Sequence, residues 1–263
     1  MKSAIFFCFV LLFFCAGCRT VPVTERYQLL LTTSVYENEL GEEAYEQYLD
    51  EYPVSKNQEY NQALARCGKA LQEAAGQSDF EWKFTVLESS IQNAFCLPGG
   101  KVAVYTGLLD LMNTEAELAF VVGHEIGHAI ARHSGERMSW GFLQSLGGIL
   151  VDIGFQNDFL NEIYGTGTEL GVMLPFSRSN ESEADRIGLL LMAKAGYSPA
   201  AAAEFWSRFT KGNKTDSLSV LFSTHPCDSQ RIADMKKHIP EAEQLYRKSA
   251  SPKGSGIIFQ RKK

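Results

Sequence analysis

The chain has 263 residues, 45% hydrophobic and 21% charged, which is enough apolar material for one globular domain with a sizeable core. Its formal net charge is −6 and its body carries no long run of Lys or Arg. This excludes the concentrated basic face that a nucleic-acid partner needs and disfavours binding to a generic anionic membrane surface.

The first residues have the layout of a secretory signal peptide. Lys2 supplies the positive start, Ile5 to Phe14 is an almost unbroken apolar run, and the small residues Ala16 and Gly17 lead to Cys18. The run is too short for a comfortable membrane-spanning helix. Cys15-Ala16-Gly17-Cys18 resembles a bacterial lipobox, although Cys15 stands where Leu is usual. Residues 1–17 are thus expected to be removed, leaving a lipid on Cys18 and a tether over residues 18–34. That would place the protein on the periplasmic side of the cell envelope. Arg19 after the lipidated position favours the outer membrane under the sorting rule of enteric bacteria. The competing reading is an ordinary signal cleaved nearby, giving a soluble secreted protein. Cys67, Cys96 and Cys227 cannot all pair with one another, so the chain is not a disulfide scaffold. One bridge with a free thiol, or buried unpaired thiols, both fit.

A charged, aromatic-bearing segment from Tyr36 to Tyr48 reads as a surface helix closed by Pro53. Ala63, Leu64, Cys67, Leu71, Ala74 and Ala75 recur at three- and four-residue steps, which predicts an amphipathic helix over 57–75 ending near Gly76. The period then becomes two. Phe80, Trp82, Phe84 and Val86 alternate with polar residues as in a half-buried strand. A second extended piece covers Ile91 to Leu97, Pro98-Gly99-Gly100 makes a turn, and Lys101 to Tyr105 forms a third strand. From Gly107 onward the pattern is helical, and no internal repeat is present. The stretch from Trp140 to Leu174 is rich in Gly and large apolar residues. Core helices are its plain reading; a lid, or a surface for a membrane or partner, is the functional one. These elements describe an α+β fold that is predominantly helical with one small sheet. The Lys/Ser/Gly-bearing C-terminus is the one body segment that reads as disordered.

His124-Glu125-Ile126-Gly127-His128 has the form H-E-x-x-H. Residues four apart share a helix face, so both imidazoles can converge on one ion, with Glu125 beside them as general base toward a water. Thr114 and Glu117 have capping-box spacing for this helix. Gly123 and Gly127 would let another element pack close, which offsets their poor helix propensity. A third ligand six residues beyond His128 fails, because Ala131 and Ser134 occupy the pattern positions and His133 is out of step. Glu181-Ser182-Glu183-Ala184-Asp185 supplies the alternative. Glu181 and Asp185 share a face while Glu183 points elsewhere, so Glu181 can bind the ion and Asp185 can orient a ligating imidazole. A solvated acidic helix start is the competing reading. The expected cofactor is one Zn2+ per chain.

Several separated blocks resemble the M48 metallopeptidases. They are Asn93-Ala94-Phe95 with Leu97-Pro98-Gly99-Gly100, Tyr105 to Leu109, His124 to His128, Ser177-Arg178 with Glu181 to Arg186, and Thr224-His225-Pro226. The resemblance spans residues 35–240, leaving 241–263 as a tail. It implies a gluzincin-like catalytic domain and looks closest to compact periplasmic and outer-membrane-associated members, and to the catalytic domain of the family's mitochondrial stress protease. It further implies that Gln92 to Leu97 is an edge strand bordering the cleft, with Asn93 and Ala94 as backbone contacts for a polypeptide substrate. His225 would lie near the metal, either as a donor to the oxyanion or as an occupant of the open position; a turn histidine before Pro226 is the bland alternative. Arg178 and Arg231 read equally as supports of the site and as structural ion pairs. The implied substrates are unfolded or misassembled envelope proteins. Two rivals stand beside this reading: a zinc-containing chaperone or binding lipoprotein that does not cleave, and a zinc exopeptidase, for which no acidic motif that would capture a free N-terminus is visible.

Overall fold

The computed structural model describes residues 18–151, 177–211, 219–226 and 229–259. The expected signal segment 1–17, residues 152–174 of the apolar stretch, and Cys227 lie outside them. The described chain opens with an antiparallel hairpin, β1 (Cys18–Thr20) paired to β2 (Tyr27–Leu29). The hairpin lies within residues 18–34, the segment expected as a lipid-anchored tether. Val21, Leu29 and Leu30 are buried, and Arg26 is ion-paired with Glu136 at 2.7 Å and Glu183 at 2.8 Å.

Helix α1 (Ser34–Glu51) is capped by Thr33, whose side chain accepts from the Tyr36 amide. It is longer than the Tyr36–Tyr48 segment that the sequence marks, and it buries Tyr45 and Tyr48, the latter 4.4 Å from Phe95 between ring centroids. Helix α2 (Gln58–Ala75) follows the apolar spacing, with Asn57 as N-cap and Gly76 at φ 62° ending it in the left-handed region that glycine tolerates.

The sheet has order β3-β5-β4, formed by β3 (Lys83–Leu87), β4 (Ala94–Leu97) and β5 (Lys101–Tyr105). β5 pairs in parallel with β3 and antiparallel with β4, Phe95 standing opposite Ala103. Its Val-Ala-Val run is buried throughout, as a strand covered on both faces requires. The Phe80–Trp82 alternation does not become strand. The Lys83 amide meets the Gly100 carbonyl at 3.0 Å, and the partner strand begins only beyond that turn.

Two helices then lead to the centre of the molecule, α3 (Thr106–Leu109) and α4 (Glu115–Ile130). Every residue of α4 is buried. Thr114 accepts from the Glu117 amide, and the Glu117 carboxylate accepts from the Asn113 amide at 2.7 Å, the reciprocal bonds of a capping box set one residue early. Around α4 lie α5 (His133–Val151), α6 (Arg178–Lys194), α7 (Ala200–Lys211), α8 (Ser219–Thr224) and α9 (Ser229–Arg247). No helix among the described residues is long and apolar enough to cross a membrane.

The approach of α4 to α6 is made by glycine. A Cβ on Gly127 would lie 2.9 Å from the Ala184 carbonyl oxygen, and one on Gly188 would lie 2.7 Å from the His124 backbone nitrogen. The sequence singles out Gly123 and Gly127 for this role; a Cβ on Gly123 would lie 3.1 Å from the carbonyl oxygen of Gly188, the counterpart on α6.

The C-terminal stretch, expected to be disordered, follows a defined path through its described residues, which end at 259. Helix α9 runs through position 240, and the chain beyond it returns to the start of α4. Carbonyls of Ile257 and Ser255 accept from the Glu115 and Ala116 amides at 2.9 and 3.0 Å, and Phe259 is buried. These are donors that a helix cannot satisfy internally, so the tail caps the helix.

Candidate metal centre

His124 and His128 project from one face of α4. Glu181 comes from the first turn of α6, whose N-cap is Ser177, and His225 follows α8 directly. All four are buried, and one ligand atom from each lies within 4.8 Å of the others. Four of the separations are short. His124 Nε2 is 3.1 Å from His128 Nε2 and 3.3 Å from His225 Nδ1. Glu181 Oε1 is 3.3 Å from His128 Nε2 and 3.1 Å from His225 Nδ1. Tetrahedral zinc with bonds of about 2.0–2.1 Å has donors separated by about 3.3 Å, so this donor set fits the ion. Glu125 lies beside the cluster with its Oε1 buried, without a hydrogen-bond partner, and 3.5 Å from His225 Nε2.

The charges around the centre follow from burial and pairing. Burial opposes ionisation of Glu181, but His225, His128 and His124 hold its carboxyl far below the usual carboxylate range. Burial also disfavours a charged His124, yet Asp185 and Glu181 raise it to about 9. Burial pushes His128 down and Glu125 up. A carboxyl raised toward neutrality is what a general base needs.

Asp185 stands one turn after Glu181, with Oδ1 2.9 Å from His124 Nδ1. Arg231 of α9 binds both carboxylates. Its Nη1 is 2.6 Å from Glu181, and its Nε and Nη2 are 2.7 and 2.8 Å from Asp185. The sequence leaves Arg231 between a support of the site and a structural ion pair, and its partners are the two carboxylates of the centre.

His133 stands out of step with the ligand pattern in the sequence. It is no ligand, but its Nδ1 lies 2.8 Å from Nδ1 of His128, and its Nε2 lies 3.0 Å from Glu183. Counting along a continuous helix puts it out of step. The helix stops at Ile130, and Arg132 at φ 54° turns the chain back, which brings His133 behind His128. A non-glycine residue in that region is uncommon, and here the Arg132 side chain is held by Glu37 at 2.7 and 2.9 Å. Glu183 does point away from the donors, as expected. Burial works against its ionisation, while His133, Thr24 and Arg26 hold it at about 2.

β4 is an edge strand, and α4 packs against it. The Asn93 carbonyl is engaged inside the sheet, accepting from the Tyr105 amide at 3.1 Å. By antiparallel alternation the backbone groups of Ala94 and Cys96 therefore face the open edge. Asn93 itself is buried, with its Oδ1 unpartnered. Phe120, Val121, Trp206 and Leu221 wall a small pocket beside His124, Glu125 and His225. Cys67 and Cys96 are free thiols, and Cys18 is exposed.

The family model for peptidase family M48 matches residues 58–239. The mitochondrial metalloendopeptidase OMA1 of Schizosaccharomyces pombe is 33% identical over 227 residues, covering 85% of this chain and 67% of that protein. The Arabidopsis thaliana protein of the same name is 35% identical over 204 residues, covering 77% of this chain and 40% of its own length. The beta-barrel assembly-enhancing protease of Escherichia coli is 27% identical over 212 residues, 76% of this chain and 43% of that protein. The chain thus spans about two thirds of the first relative and less than half of the other two. The match runs from α2 through most of α9 and includes every donor of the cluster, so this chain belongs to peptidase family M48 and carries that family's peptidase domain.

Proposed function

We propose that the chain is a zinc-dependent metalloendopeptidase acting on unfolded or misassembled proteins of the cell envelope, to which an acylated Cys18 anchors it. The observation that carries the reading is the donor set itself: one ligand atom from each of four buried residues within 4.8 Å, with Glu125 Oε1 buried alongside without a hydrogen-bond partner. His124, His128 and Glu181 hold the ion. When bound, zinc supplies a Lewis acid that brings the pKa of a water toward neutrality and polarises the substrate carbonyl.

The remaining steps belong to the chain's own residues. Glu125 takes the proton from the attacking water and passes it to the leaving amine. His225 sits at hydrogen-bonding range of both Glu181 and His124, so it fills the fourth donor position at rest and donates to the oxyanion once substrate displaces it. An extended substrate adds to the open edge of β4 through Ala94, with Asn93 fixing the start of that strand. The relatives named as metalloendopeptidases support cleavage within a chain. Mass spectrometry of products from an unfolded envelope protein tests this. Internal cuts, absent when the same protein is folded, are expected. Products trimmed only from one end would replace the reading with an exopeptidase.

A further inference from the structure

His128 differs from His124 in what stands behind it. The Nδ1 of His124 meets a carboxylate directly, at Asp185. The Nδ1 of His128 meets a second imidazole, His133, at 2.8 Å. Behind His133 lies Glu183, whose Oε2 is 3.0 Å from His133 Nε2 and accepts from Arg26 Nε at 2.8 Å. Glu183 Oε1 accepts from the Thr24 hydroxyl. Arg26 is itself fixed by Glu136, through Nη1 at 2.8 Å and Nη2 at 2.7 Å. Thr24 and Arg26 belong to the β1–β2 hairpin, and Glu183 lies between Glu181 and Asp185 on α6.

The direction of each hydrogen bond follows from what each group can do. A carboxylate paired with arginine only accepts, so His133 Nε2 is the donor to Glu183. His133 is 1% exposed, and burial disfavours the charged imidazole, so His133 is a neutral ring. Its Nδ1 is then an acceptor, and the proton between the two rings sits on Nδ1 of His128. The Nε2 of His128 is left bare, with its lone pair toward Glu181 and His124.

We propose that His133, Glu183 and Arg26 are positioning residues for the metal ligand His128, and that the N-terminal hairpin contributes to metal affinity through Arg26. The inference rests on the reading of His128 as a ligand. Removing a group that orients a ligating histidine lowers metal affinity by about 10- to 100-fold.

The experiment measures zinc affinity of the full chain by competition with a chromophoric chelator. It compares wild type with His133→Phe, His133→Gln, Arg26→Gln and His128→Ala, and reads the ring-nitrogen protonation of His128 by NMR in the zinc-free proteins. His133→Phe is expected to bind zinc about 10- to 100-fold more weakly and to move the His128 proton off Nδ1. His133→Gln should recover most of the loss, because its amide oxygen and nitrogen can replace both ring nitrogens. Arg26→Gln, which alters a half-exposed side chain, should weaken binding measurably but less. Wild-type affinity in His133→Phe overturns the proposal. So does a loss that glutamine does not recover while the His128 proton stays on Nδ1, since that marks a packing effect. Unchanged affinity in Arg26→Gln removes the hairpin from it. Failure of the underlying reading looks different: wild type would then bind zinc no better than His128→Ala.

Discussion

Arg231 grips Asp185 with two parallel hydrogen bonds, Nε to Oδ2 at 2.7 Å and Nη2 to Oδ1 at 2.8 Å, and both side chains are buried. The same guanidinium reaches Glu181 and the carbonyls of His225 and Pro226. One residue of α9 thereby ties a carboxylate of the donor set, the carboxylate behind His124, and the backbone that carries His225. Breaking a buried pair of this kind leaves an uncompensated charge and costs about 3–5 kcal/mol. Arg231→Met is expected to lose stability of that order in denaturant unfolding of the zinc-free protein, and to bind zinc more weakly. Unfolding and zinc affinity both at wild-type level would show that the pair is incidental.

The contact between α4 and α6 leaves no room for a methyl group at Gly188, where a Cβ would sit 2.7 Å from backbone. Helix backbone cannot yield as a flexible side chain does. Gly188→Ala is expected to destabilise the fold by about 1–3 kcal/mol through overpacking. It should also weaken zinc binding, because Glu181 would move away from His124 and His128. Thermal unfolding with and without zinc separates the two effects, and a reduced zinc-induced rise in Tm is the expected mark. A melting temperature and zinc shift equal to wild type would mean that the helices tolerate separation.

Much of this centre was legible in the sequence, for a physical reason. His124, Glu125 and His128 lie within one helical turn and a half, and Glu181 and Asp185 lie within one turn of another, so periodicity alone puts each group on a common face. What periodicity cannot show is where a helix breaks. His133 was hidden by the left-handed turn at Arg132, and Gly188 by its sitting on the helix that packs against α4 rather than on α4 itself. The hairpin at 18–29 and the tail at 254–259 are too short to display a period, and they dock through ion pairs, backbone hydrogen bonds and a few buried anchors such as Val21 and Phe259. The strand at Phe80–Trp82 failed for the opposite reason, since the alternation is present but no partner strand reaches it.

Zinc uptake should depend on pH through His124. In the metal-free fold Asp185 and Glu181 overcome burial and lift this imidazole to about 9. Its proton must leave before Nε2 can donate to a metal. Apparent zinc affinity is therefore expected to rise about tenfold per pH unit between pH 7 and 9, and to level off above. The stability linkage of the metal-free protein has the opposite sign. With the folded value raised from 6.5 to about 9, the stabilisation is complete below 6.5 and is lost as pH rises through about 9. Chelator competition across this range checks the first statement, and a flat profile would contradict it.

The central claim is that a zinc ion held by His124, His128 and Glu181 works with Glu125 to hydrolyse peptide bonds. The most direct measurement is digestion of casein by the zinc-loaded chain from Arg19 onward, run beside Glu125→Gln and with a chelator added. Fragments from the wild type alone, abolished by the chelator, while Glu125→Gln keeps its zinc, are the expected result. Equal fragmentation by Glu125→Gln, or no cleavage by a folded and zinc-loaded wild type even after His225→Ala opens the fourth position, would contradict it.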